Sequence, residues 1–159
     1  MTDRSATHAT FTIERSYPVP PSRVFAAFAD GDAKAIWMDD PDFKSDGESE
    51  YEMDFRVGGH ERFGGIAPDG RSHSYDALYY DIVPDQRIVY SYEMYMAGMR
   101  MSVSVTTVQL APEPGGTRLT YTEQGAFLDG IDDPDKREEG TRWLMDNLGK
   151  YLAGELASS

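Results

Sequence analysis

The sequence predicts an α+β domain: a curved antiparallel sheet of about seven strands wrapped around a long C-terminal helix, with two short helices after the first strand. Three observations predict it. From Glu50 onward the apolar residues recur every second position, interrupted only by turn residues. Near the C-terminus the spacing becomes helical, with Trp143, Leu144, Leu148, Tyr151 and Leu152 on one stripe. The connections between the strands are short, which makes them antiparallel and leaves one apolar face for the helix to cover.

In chain order, Phe11, Ile13 and Tyr17 alternate with polar residues and predict a first strand, ended by Pro18, Pro20 and Pro21. Val24, Phe25 and Phe28 then share one helical stripe, with Pro21 suited to a first turn. Asp30-Gly31 stops that helix, and Ala33 to Trp37 predicts a second short one. Asp39 to Glu50 is an acidic loop, expected to form a mobile flap. Tyr51, Met53, Phe55 and Val57 predict a half-buried strand, closed by Gly58-Gly59. Strands follow around Arg62 to Ile66 and over Ser74 to Val83, the latter with Leu78, Tyr80 and Ile82 on one face. Ile88, Tyr90, Tyr92, Met94 and Met96 share a face of the next. Met101, Val103 and Val105 open another, and Thr117 to Gln124 is the last, with Leu119 and Tyr121 on one side. Asp133 can cap the final helix and Pro134 suits its first position. Extended to Ala157, that helix would be about 36 Å long at about 1.5 Å per residue. Residues 1–9 read as a flexible N-terminal tail and 10–157 as a single domain.

Composition narrows the function classes. The 159 residues are 40% apolar and include no cysteine. That removes disulfides, thiolate metal sites and cysteine nucleophiles, and fits a cytoplasmic protein. Lys+Arg total 15 against 28 Asp+Glu, a net charge of −13. A surface this acidic repels phosphate backbones and anionic lipid, so neither nucleic acid nor membrane is expected as a partner. Met1 to His8 is polar and has no signal-peptide run.

Several motifs carry a resemblance spread from Thr10 to Leu152. They are Glu14-Arg15 before Val19-Pro20-Pro21-Ser22-Arg23-Val24-Phe25, then Trp37, and Phe55-Arg56-Val57-Gly58-Gly59. They continue with Asp81 to Tyr90, Gly115-Gly116-Thr117-Arg118-Leu119 and Thr122-Glu123-Gln124-Gly125. Together these resemble the START and birch-pollen-allergen (SRPBCC) superfamily. Within it they resemble the small proteins named for the activator of the heat-shock-chaperone ATPase, also labelled polyketide-cyclase-like. The resemblance implies the helix-grip fold and a carrier of a small apolar or aromatic molecule. No cofactor is expected, and a homodimer is one assembly open to it. It also implies a chaperone-interaction module as an alternative. The namesake activators carry a further N-terminal domain that this sequence lacks, so stimulation of a chaperone ATPase is not expected. In many relatives Gly and Trp adjoin near the start of the last helix. Here Gly140 and Trp143 are separated, and Gly140 within a helix implies a close backbone approach or a ligand.

The candidate ligand-binding residues follow from the inward strand positions. Tyr51, Phe55, Tyr80, Tyr90, Tyr92, Met94 and Met101 line the sheet, with Trp37 and Trp143 at the helices. Tyrosine and methionine suit an apolar pocket that offers a few hydrogen bonds. Any of them can equally be plain core. Alternation from Leu119 and Tyr121 sends Glu123 inward, where an unpaired carboxylate would be costly. It is either paired with Arg15, a tyrosine or a helix end, or it contacts ligand. As a general base beside Tyr80 or Tyr92 it would make the protein a cyclase or hydrolase. One acid among tyrosines is no catalytic constellation, so the reading leans away from an enzyme. His8 lies in the tail, while His60 and His73 flank turns and are expected exposed. No metal site is expected: Asp42 to Met53 fails as a calcium loop, with Lys44 at its third position and Met53 where the glutamate belongs.

Overall fold

A computed structural model describes residues 4–39, 50–67 and 69–156. Strand β1 (Ala6–Tyr17) reaches back to Ala6 and pairs with the last strand from Ala6↔Leu128 to Tyr17↔Thr117. The residues read as the end of a tail, His8 among them, are therefore strand. Helices α1 (Pro21–Ala29) and α2 (Gly31–Trp37) share Asp30. Its N–H closes α1 on the Ala26 carbonyl and its carboxylate accepts from Asp32 N–H, capping α2. Most of the acidic segment read as a flap lies outside the described residues.

Six strands complete the sheet: β2 (Glu50–Met53), β3 (His60–Ile66), β4 (Ser72–Val83), β5 (Arg87–Met96), β6 (Met99–Glu113) and β7 (Gly116–Leu128). Every pairing is antiparallel, in the spatial order β1-β7-β6-β5-β4-β3-β2. Strand β2 is shorter than its alternation predicts. After Met53 the chain folds back on itself, with Arg56 N–H donating to the Asp54 carbonyl and Gly59 N–H to that of Arg56. A Cβ on Gly59 would lie 2.0 Å from the Asp54 oxygen, so only glycine fits this turn. Val57, read as inward, is consequently exposed.

Two bulges decide which side chains face inward. One, between Tyr79 and Asp81, turns Tyr79 into the core and Tyr80 out, where it is 59% exposed. The other, opposite Met94 and Tyr95, sets the parity of β6. Ser102, Ser104 and Thr106 then face inward, while Val103 and Val105 are exposed on the outer face.

Helix α3 (Pro134–Leu152) starts as expected, with the Asp133 carboxylate accepting from Asp135 N–H and Pro134 at the first position. It is shorter than expected, about 28 Å over its 19 residues, because Gly154 adopts a left-handed φ of 76°. Met145, Leu148 and Leu152 pack on Ile13, Val24, Phe28 and Leu119 in the core. The helix approaches α1, α2 and β1, and the Tyr17 hydroxyl donates to the Met145 carbonyl at 2.6 Å. Among the described residues no helix is long and apolar enough to cross a membrane.

Candidate functional site

The inner face of the sheet carries two buried charge centres joined by tyrosines. The first is built on β3. Alternation puts Glu61 inward, 1% exposed, and α2 brings Lys34 above it. Lys34 Nζ donates to Glu61 Oε1 at 2.7 Å. The Tyr79 hydroxyl donates to the same oxygen at 2.9 Å, and the Tyr51 hydroxyl to Oε2 at 2.7 Å. Burial alone would raise the Glu61 carboxyl, but the Lys34 ammonium and the three donated bonds outweigh it and hold it below the usual range. The two phenols are pushed up by burial and by the carboxylate they face. Glu61 is a closed, ionised site.

The second centre is built on β7, β6, β5 and the first turn of α3. Glu123, also 1% exposed, accepts from the Tyr92 hydroxyl at 2.7 Å and from the Ser104 hydroxyl at 3.4 Å. Arg137 comes no nearer than 3.7 Å, because its donors go elsewhere. They reach the Tyr92 hydroxyl at 2.9 Å, Ser102 at 2.9 Å and Asp132 at 2.6 Å. Its guanidinium also lies over the Phe127 ring, 5.1 Å from the centroid. Burial raises the Glu123 carboxyl, and the Tyr92 bond, Arg137 and Ser104 only partly oppose it. This carboxyl holds its proton to higher pH than an ordinary glutamate.

Around Glu123 the remaining hydroxyls are loosely tied. Tyr90 and Tyr121 approach each other at 3.4 Å. Thr106, fully buried and paired across the ladders with both Glu123 and Tyr90, makes no hydrogen bond of good geometry, though the Tyr90 hydroxyl feels it. The Tyr75 ring lies 5.0 Å from that of Tyr92. Tyr75 belongs to a cross-strand row running Tyr51, Phe63, Tyr75, Met94, Ser102. Its first four members are partly exposed, and the last bonds Arg137. This row leads from solvent to the second centre.

The expected site residues divide accordingly. Tyr90, Tyr92 and Glu123 come together, and Met94 stands beside them in the row. Phe55 packs instead between Phe25 and Tyr79 beside the first centre, 5.7 and 5.0 Å between ring centroids. Trp37 is sealed between the helices, its indole N–H spent on the Ala27 carbonyl at 2.9 Å. Met101 is buried at the β6 bulge. Tyr80 and Trp143 do not join the site: the bulge turns the first outward, and α3 presents Met145 and Leu148 inward, leaving Trp143 38% exposed. Arg15 pairs with Asp146 rather than with Glu123. His73 is not an exposed turn residue; it is 4% exposed, against Phe63, and burial lowers its pKa. A Cβ on Gly140 would meet nothing within 4 Å, so no close backbone approach requires this glycine.

The sequence reading missed Lys34, Glu61, Tyr75 and Arg137. Alternation through β3 carries a signal for Glu61, two positions before Phe63. Nothing local marks Lys34 or Arg137. Among the described residues no three acidic or histidine side chains gather to hold a metal. Two surface hollows lie away from the inner face, one on the outer side of β1, β7 and β6, the other near Gln86 and Arg118.

Residues 18–153 match the family described as Activator of Hsp90 ATPase homolog 1-like protein. The chain belongs to this family. It is similar to a solved, uncharacterised protein from Rhizobium leguminosarum, at 45% identity and TM-score 0.89, over 97% of this chain and 100% of that one. The Mll3558 protein of Rhizobium loti is 51% identical over 92% of this chain and 99% of its own, with TM-score 0.84. An AHSA1-like protein from Aeromonas hydrophila, 23% identical, shares the fold at TM-score 0.67 over 92% and 93%. No curated protein matches. As an AHSA1-like domain of the helix-grip type, the chain has the architecture that the resemblance implies.

Proposed function

We propose that this AHSA1-like protein binds a small apolar or aromatic molecule on the inner face of its sheet, against Tyr75, Tyr92 and Glu123. One observation supports the reading above the others: a partly exposed aromatic row ends at a buried polar centre where the Ser104–Glu123 and Tyr90–Tyr121 approaches are long, 3.4 Å each, and Thr106 lacks a well-formed bond. A core needing only stability would be expected to fill this region with apolar side chains, since under-satisfied buried polar groups are costly. The ligand enters from the partly exposed Tyr51–Met94 row, past the Tyr75 ring. Native mass spectrometry of freshly purified protein should show a co-purified small molecule. Two-dimensional amide NMR with added naphthalene-type probes should then perturb Tyr75, Tyr92 and Met94. Perturbations confined to the outer hollows would sink the reading.

The family description favours a second reading, a module that acts on a chaperone ATPase. We expect no stimulation at stoichiometric concentration. A several-fold increase in ATPase rate would put this reading first.

A further inference from the structure

We infer that the molecule held at this site presents an uncharged O–H or N–H donor to Glu123 and carries no carboxylate of its own. The inference rests on the binding reading above and specifies what that ligand must look like.

Hydrogen-bond capacity points the same way from each group. An ionised carboxylate is acceptor-only, with about four lone-pair sites over its two oxygens. Glu123 uses one of them well, for Tyr92 at 2.7 Å, and one poorly, for Ser104 at 3.4 Å, with the Tyr121 hydroxyl drawn toward it but forming no bond of good geometry. The cation that could fill the rest is held back at 3.7 Å by Tyr92, Ser102 and Asp132. The unspent capacity is therefore acceptor capacity, and it calls for a donor. Thr106, buried beside Glu123 without a well-formed bond, supplies a second, independent sign of an unfilled polar position.

Charge excludes the opposite class. Among the described residues, Glu61 and Glu123 on the inner face and Asp132 in the loop before α3 stand against two buried cations, Lys34 and Arg137. Lys34 is committed to Glu61 at 2.7 Å. Arg137 is committed to Asp132 at 2.6 Å and stacked on Tyr92 and Phe127. Among the described residues no buried cation remains to receive an anionic ligand, and an uncompensated buried anion is costly. The aromatic row, meanwhile, suits a flat apolar body behind the donor.

Three probes of nearly one shape separate these terms: naphthol, its methyl ether and the isosteric naphthoate. Calorimetric titration of the wild-type protein should rank naphthol first by about tenfold or more over the ether, the worth of one good hydrogen bond to a charged group. Naphthoate should be weakest. In Glu123→Gln, which keeps the volume but reduces the acceptor capacity, the lead of naphthol should shrink to about threefold or less. Equal affinities for naphthol and ether, or naphthoate as the tightest, would overturn the inference while leaving the binding site standing. Failure of all three to bind would overturn the binding reading with it. The wild-type ranking decides the matter even if the variant does not fold.

Discussion

Glu61 and Glu123 are the same residue type, both inward on one sheet face and both 1% exposed, yet their carboxyls are pulled in opposite directions. Burial acts on both. The difference lies in the cation: Lys34 sits 2.7 Å from Glu61, while Arg137 stays 3.7 Å from Glu123 with its donors engaged elsewhere. The first carboxylate also receives two phenols at 2.7 and 2.9 Å, the second one phenol at 2.7 Å and a serine at 3.4 Å. Depth alone therefore does not set the state of a buried acid; the completeness of its partners does. The completed centre fastens α2 to β3, next to the β2 edge of the sheet. The incomplete one is where a ligand has something to do.

The comparison breaks most visibly at Lys34. Lys34→Met leaves Glu61 buried without its cation, and urea unfolding should show a loss of about 3–5 kcal/mol. A loss below about 1 kcal/mol would mean that the ion pair is dispensable and the two centres are alike. Tyr79→Phe removes one donor to an ionised, buried acceptor and should cost about 1.5–3 kcal/mol in the same measurement.

Smaller in size, but sharper in sign, is the pH dependence. The folded value of Glu61 lies below the ordinary one, so its contribution is present above the ordinary carboxylate range and is lost as pH falls through the lowered value. The folded value of Glu123 lies above the ordinary one, so its contribution is present below that range and is lost as pH rises through the raised value. The stability of wild type minus Glu61→Gln should thus decrease on acidification, and that of wild type minus Glu123→Gln should increase. At neutral pH we expect Glu123→Gln to change stability by only about 1–2 kcal/mol, since the amide keeps the volume and most of the hydrogen bonds. Parallel pH profiles for the two variants would refute the distinction.

The smallest effect concerns Gly140, one turn beyond Arg137. A Cβ there meets nothing, so Gly140→Ala should stabilise α3 by up to about 1 kcal/mol. If thermal unfolding shows destabilisation instead, space at Gly140 is being used, and the ligand reading would have to extend along the helix.

Much of the fold was legible because its signals are local. Period-two alternation marked the sheet, and Asp133-Pro134 marked the start of α3. Glu123 was legible too, since β7 runs without a bulge from Thr117 through that position. Tyr80 was misread because it is itself the extra residue of the β4 bulge, which exchanges the two faces, and strict alternation along the strand does not reveal an insertion. Trp143 was misread because a helix stripe shows which residues are apolar, not how the helix is rotated over its neighbours.

The sequence by itself determined the order of elements, the antiparallel sheet, the absence of thiol chemistry and the inward carboxylate on β7. Each follows from period, turn residues or composition, which are properties of short stretches of chain. Only the tertiary structure decided which cation meets which acid. Lys34 reaches Glu61 because α2 lies over the β2–β3 edge, and Arg137 falls short of Glu123 because the first turn of α3 spends it on Tyr92, Ser102 and Asp132. Electrostatic energy depends on distances of a few ångström between groups brought together by packing, and no pattern along the chain encodes those distances.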